Sequence, residues 1–493
     1  MGVIKKQAIR GSFWSYVGIV LGFVNIGILS QKFLSPEQVG LTQVLISFAT
    51  IFSQVGTLGM GNVAMRLFPH FRNETNKHNG FIALSIAVCF VGFIIMSIIA
   101  FSFEPFLVNS NSSKSELLTD NFFYLFPLIF FLLYFSIFDS YNRMLYNAVM
   151  GTFLREFVLR LLNTALIFLF IFKIISFDGY VLLFVISQGV PMLVMTISLL
   201  IRKQLAFKFD FKFLNKGLLK EVVDVALFGI ISGLSGMALQ NIDRLMVSNF
   251  VGLDGAGIYS VTFYFATLIL VSQRAISNIS TTVIAESWKT NDIKTISDIY
   301  VKSSINQFLL GIWVFIGIWG NIDNVFQLLE PEYAKGKWVI FLIGLSNLVT
   351  VISGVAIYIL ATSKYYRYHM WFMCFLIGLV VITNLIFIPI WGLTGAAFAS
   401  LLSTTAYVFF ACFFLYRKFK IQPLSKKHIG ILIAGAAAYF ASSLLSPLSN
   451  YMIDIAVRSV LISVVFFAIV SFFKSSDEIN TIMIKVYRRF KKQ

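Results

Sequence analysis

The chain has 493 residues, 58% of them apolar and only 12% charged, and its net charge is +17. Soluble domains carry roughly 25% charged residues, so composition excludes an ordinary soluble protein and points to an all-α polytopic membrane protein. The positive charge does not indicate nucleic acid as a partner, because the basic residues are spread over many loops and form no separate domain.

The apolar residues fall in blocks long enough to cross ~30 Å of hydrocarbon, which takes roughly 17–25 helical residues. The predicted spans begin with Phe13–Phe33, Val39–Met65, Phe81–Phe103, Phe122–Tyr146, Phe153–Phe172 and Tyr180–Ile201. A second set follows at Val222–Phe250, Gly257–Ile284, Ile305–Ile322, Trp338–Ala361, Met370–Ile388 and Leu393–Tyr416. Ile429–Leu445 and Ile455–Phe473 bring the expected number to fourteen. Lys5, Lys6 and Arg10 precede the first block as in a signal peptide. The block is too long for one and lacks a small-residue cleavage site, so it is read as a retained helix. Cys89, Cys374 and Cys412 all lie inside apolar blocks and suggest neither a metal site nor a disulfide framework.

Lysine and arginine set the orientation. With the N-terminus inside, Lys32, Lys114, Lys173, Lys335 and Lys337 fall on outer segments, and Arg244, Arg274 and Arg458 within or near helix ends. All the other lysines and arginines fall on inner ends and loops, which is the positive-inside pattern and puts both termini in the cytoplasm. Between the sixth and seventh spans, Phe207, Phe209, Phe211 and Phe213 alternate with Lys208, Asp210 and Lys212. This segment is expected to lay its aromatic rings on the membrane surface while its lysines meet anionic lipids. The C-terminal tail spaces Ile479, Ile482, Val486 and Phe490 as on one helical face among basic residues, which predicts an interfacial helix. Arg458, near the outer end of the last span, is expected to snorkel to the headgroups.

The chain also repeats itself. Phe33–Phe52 aligns without a gap on Phe250–Ile269, with identities at Phe33/Phe250, Gly40/Gly257, Val44/Val261, Phe48/Phe265, Ala49/Ala266 and Thr50/Thr267. A second echo sets Asp178-Gly179 against Thr394-Gly395, and each following span exits into Arg-Lys. Six helices return a chain to its starting side, so the halves are parallel repeats about an axis along the membrane normal. The expected plan is an N-lobe at 1–201, a cytoplasmic linker at 202–221 and a C-lobe at 222–416. Two extra helices at 417–473 and a basic tail at 474–493 complete it. A cleft between two such lobes suits a carrier that opens to alternate sides.

These residues carry a family resemblance. Gly11-Ser12-Phe13-Trp14 and Phe33-Leu34-Ser35-Pro36-Glu37-Gln38-Val39-Gly40-Leu41 resemble the opening of Wzx-type polysaccharide (O-antigen) flippases. Asn241-Ile242-Asp243-Arg244 with Gly257-Ile258-Tyr259 resembles their seventh helix and following turn. Those flippases belong to the multidrug/oligosaccharidyl-lipid/polysaccharide exporter superfamily. The resemblance implies a protein of the bacterial cytoplasmic membrane that moves undecaprenyl-diphosphate-linked oligosaccharide from the inner to the outer leaflet. Other polysaccharide-assembly membrane proteins would be its partners. Its motifs say little about which sugar, and O-antigen, capsule and exopolysaccharide stay open.

A charge at the bilayer centre costs roughly 2.5–3.5 kcal/mol on insertion scales, so charged residues inside spans mark a candidate site. Arg274 in the eighth span is the clearest, with Thr57 as its repeat counterpart. A guanidinium grips a diphosphate in bidentate fashion, and a structural pair with a buried acid is the alternative. Asp243 and Arg244, beside Gln240 and Asn241, are candidates for the cavity or for a local ion pair. Asp139 with Arg143 and Glu156 with Arg160 stand at i, i+4, where acid and base share a helical face. Mutual neutralisation is one reading; a headgroup site with Arg66 is the other. Asp139, Glu156 and Asp243 are then the carboxylates that could couple export to H+ or Na+.

No cofactor or metal is expected. The four histidines, His70, His78, His369 and His428, are scattered, and neither a His-Glu-x-x-His nor a nucleotide-binding glycine-lysine motif occurs. A membrane glycosyltransferase or polysaccharide polymerase would need acids on a sizeable outer loop, and Glu104 to Asp120 is short and rich in serine and asparagine. A multidrug or lipid II exporter of the same fold is the nearer alternative.

Overall fold

In the computed structural model, which describes residues 2–112, 116–205 and 213–476, every regular element is a helix, and no strand occurs among the described residues. Among the described residues, ten helices are long and apolar enough to cross a membrane. One of them, Tyr366–Phe419, covers both the eleventh and twelfth expected spans. It bends at Gly392, whose φ of 55° and ψ of −127° suit only a residue without Cβ. The fifth, seventh and thirteenth expected spans are helical too. The seventh is Lys216–Phe250, the thirteenth is Lys426–Ser443, and the fifth runs through Ala148–Phe153, Leu154–Val158 and Leu159–Ile171.

The chain packs as two compact units, Met1–Val261 and Thr262–Gln493. In lipid no hydrophobic force drives helices together, so close van der Waals approach must do it, and small residues allow that approach. In the first unit, the second helix starts at a capping box. Ser35 Oγ accepts the Gln38 N–H at 3.3 Å, and Gln38 Oε1 accepts the Ser35 N–H at 3.0 Å. Pro36 follows at the first helical position. The helix breaks after Gly56 and resumes at Met60 through Gly59, at φ 75°. A Cβ on Gly59 would stand 2.0 Å from the Ala226 carbonyl oxygen of the seventh helix. Gly229 and Gly233 meet Asn62 and Gln54 in the same tight way, so glycines seat the seventh helix along the second.

Phe213, the last aromatic of the alternating stretch, is half-buried and packs on Phe71, with ring centroids 5.3 Å apart, against the core of the unit. The rest of that alternating stretch, 206–212, and the expected tail helix lie outside the described residues.

In the second unit, the ninth, thirteenth and fourteenth helices share a core built on Ile312, Ile316, Ala434, Ile462 and Phe466. Beside it opens an almost wholly apolar cavity of about 590 Å³, lined by Phe315, Trp319, Phe341, Leu345, Leu432 and Tyr439 among others. Arg458 does not snorkel. It is buried, its Nε stands 2.6 Å from Asp454 Oδ2, and its terminal nitrogens donate to the carbonyls of Ser442 (2.7 Å) and Leu445 (2.9 Å). Asp454 also accepts from Asn324 and from the Leu448 N–H. A buried pair persists when its remaining donors and acceptors are also met, and here they are.

Candidate functional site

Polar side chains gather on the fifth span of the first unit. Leu154–Val158 is π-helical there, and so is Phe23–Ser30 of the first helix. Such segments, rare in general, recur at functional sites. Asn25 of the first helix donates through Nδ2 to the Arg160 carbonyl at 2.8 Å, and its Oδ1 accepts from Thr164 Oγ1 at 2.7 Å. Asn163 Oδ1 in turn accepts from Ser187 Oγ of the sixth helix at 3.2 Å. A polar seam therefore joins the first, fifth and sixth helices. Trp14 packs on Phe153 and Phe157 at one end of it.

Both i, i+4 pairs form. Arg160 meets Glu156 Oε2 at 2.8 Å, and Arg143 meets Asp139 Oδ2 at 2.7 Å. Each acid is backed by a glycine of another helix. A Cβ on Gly18 would stand 2.6 Å from Glu156 Oε2, and one on Gly151 would stand 1.8 Å from Asp139 Oδ1. Asp139 Oδ1 is buried and accepts no hydrogen bond. The acids are thus held from behind, while the Arg143 side chain keeps 49% of its surface exposed. An arginine so placed can trade its carboxylate for an anionic ligand, because the pair itself is worth at most about 1 kcal/mol where water reaches it.

The remaining candidates separate. Asp243 is buried on the seventh helix, and Tyr259 donates its hydroxyl proton to Asp243 Oδ2 at 2.9 Å. Asn241 is buried and turned back on its own helix, donating to the Met237 carbonyl at 2.8 Å. Arg244 is half-buried beside Asp243. Arg66 is exposed on the helical segment Met60–Phe71 and belongs to neither pair. The side chains of Gln240 and Arg274 lie outside the described ones. Asn25, Asn163, Thr164 and Ser187 were not singled out from sequence, and Tyr259 stood only in the family motif Gly257-Ile258-Tyr259. The signal for Asn25 was its position as an amide in the middle of an apolar block.

One nucleophile–base contact occurs elsewhere. Ser304 Oγ lies 2.9 Å from His428 Nε2 but donates its own proton to the Ile352 carbonyl. Both residues are buried, and His428 serves the capping box that starts the thirteenth helix. Its role is that of a helix staple.

Comparison with solved structures gives the same fold repeatedly. A lipid II flippase MurJ in an inward closed conformation matches with a TM-score of 0.73 at 14% identity, covering 94% of this chain and 98% of that one. An inward-facing multidrug resistance MATE family transporter of the MOP superfamily matches with a TM-score of 0.66 at 14% identity, covering 82% and 94%. A MOP superfamily transporter from Pyrococcus furiosus, described as having a binding pocket of reverse polarity, matches with a TM-score of 0.56 at 14% identity, covering 84% and 96%. A comparison with curated protein sequences finds no match. The profile of the polysaccharide biosynthesis protein family matches residues 8–287. That is more than half of the chain, and the protein is a member of the polysaccharide biosynthesis protein family.

Proposed function

We propose that the protein carries an anionic lipid-linked oligosaccharide, of the undecaprenyl-diphosphate class, from the inner to the outer leaflet of a bacterial cytoplasmic membrane. The reading rests above all on the two glycine-backed acid–arginine pairs, Asp139–Arg143 and Glu156–Arg160. Acids fixed from behind leave Arg143 and Arg160 to be shared with a phosphate, whereas a cationic drug would be repelled by them. Arg274 on the eighth helix is the further diphosphate contact, with Arg66 at the inner side. Gln240, Asn241 and Arg244 contribute to the path beyond it. The apolar cavity of the second unit suits the hydrocarbon part of such a substrate.

Both termini lie in the cytoplasm, the basic loops meet anionic lipids, and the membrane gradient of H+ or Na+ supplies the energy. Asp139, Glu156 and Asp243 are the coupling carboxylates. Asp243 is the best framed of the three, being buried and held by the Tyr259 hydroxyl. Other membrane proteins of polysaccharide assembly supply the substrate and consume the product.

Cells without the protein should lose a surface polysaccharide and accumulate its lipid-linked unit on the inner leaflet. Arg274→Ala should abolish export at unchanged protein level, and Arg274→Lys should restore part of it, because the charge survives and the fork does not. Intact surface glycans with raised drug sensitivity would instead assign the protein to multidrug export.

A further inference from the structure

The sequence repeat meets itself in the structure. A Cβ on Gly40 would lie 1.9 Å from the Leu253 carbonyl oxygen, and a Cβ on Gly257 would lie 1.8 Å from the Pro36 carbonyl oxygen. Gly40 and Gly257 are counterparts in the repeat, and so are Pro36 and Leu253. Each glycine therefore faces the counterpart of the carbonyl that faces its partner, as residues do across a two-fold axis. All four are buried and belong to the first unit. Neither glycine has a positive φ, so the backbone conformation does not demand glycine at either place. Only the close approach does.

Two more features surround this crossing. The second helix is interrupted beyond Gly56, and the eighth passes into a 3-10 turn at Leu268–Leu270. The outer segments Pro36–Gly56 and Leu253–Thr267 are thus stiff rods, each with an irregular turn at its inner end. The contact between the two glycines and the two carbonyls is backbone against backbone, which can separate without breaking an ion pair.

We propose that the Gly40–Gly257 crossing is the outer closure of the transport path, formed when the outer side is shut and parted when it opens. The proposal rests on the alternating-access reading given above. A methyl group at either position strikes a carbonyl of the opposite repeat and holds the outer rods apart. Permanent packing of small residues, common in membrane helices, is the competing account.

The test is made in protein whose Cys89, Cys374 and Cys412 have been replaced, carrying Val44→Cys, one helical turn on from Gly40. Val44 is buried, so a membrane-impermeant maleimide should label that cysteine slowly in the parent. Gly40→Ala and Gly257→Ala should each raise the labelling several-fold, while Gly378→Ala, where a methyl group meets open space, should leave it unchanged. Equal labelling in parent and alanine variants overturns the proposal. Labelling requires no substrate, so this result stands even if the exported lipid is of another class. Should an alanine variant fail to fold, a Glu37→Cys/Asp254→Cys pair decides. Joining the pair with a short bis-maleimide should stop export, and full export by the joined protein overturns the proposal.

Discussion

At the scale of single residues, the same acid–base spacing gives two different results. Asp454 and Arg458 stand at i, i+4 as Asp139 and Arg143 do, yet one pair is buried and the other is half open. The difference comes from neighbours outside the pair's own helix: Asn324, Ser442, Leu445 and Leu448 each hydrogen-bond to one member of the first pair. Nothing local to positions 454–458 announces them, so Arg458 read as a snorkelling residue. Removing one partner of a buried pair costs roughly 3–5 kcal/mol, because the other charge is left stranded. Arg458→Ala should therefore lower the thermal midpoint of the purified protein sharply. Asp454→Leu combined with Arg458→Met should lower it less than either single change. Equal losses from the single and double variants would show that the pair does not act as a unit.

At the scale of elements, the apolar blocks located the helices, and interruptions within them were the part that sequence hid. A π segment leaves hydropathy almost untouched, so Leu154–Val158 and Phe23–Ser30 could not be read beforehand. The acids of the fifth and fourth helices were legible as pairs, but the glycines behind them were not. Gly18 lies far from Glu156 in sequence, and Gly151 falls in the short stretch between two expected spans. These glycines separate stability from transport. Gly151→Ala pushes against the end of a flexible carboxylate, so stability should change by less than about 1 kcal/mol while export falls. Gly18→Ala also meets the Cβ and backbone of Glu156, and it should cost more in stability than Gly151→Ala. Thermal unfolding beside an export assay on the same variants checks both. Unchanged export in a stable Gly151→Ala protein would leave Asp139 a purely structural acid.

At the scale of the whole molecule, charge and repetition carried most of what sequence could tell. The family and the all-helical fold agree with them, whereas the substrate is set by cavity shape and polarity that no single span displays. Orientation remains a prediction from the lysines and arginines. A reporter active only outside the cell should work when fused at Asn111 and fail when fused at Lys212. The reverse pattern would invert every inner and outer assignment made above. The crossing of Gly40 and Gly257 has a consequence that concerns heredity more than mechanism. A patch in which each residue meets its own counterpart is self-complementary, the kind of surface that pairs two identical subunits. A half-length chain carrying one such turn would dimerise through a single glycine, and any substitution there would be felt twice. Within one polypeptide the two positions are separately mutable, so a change at either glycine is felt only once.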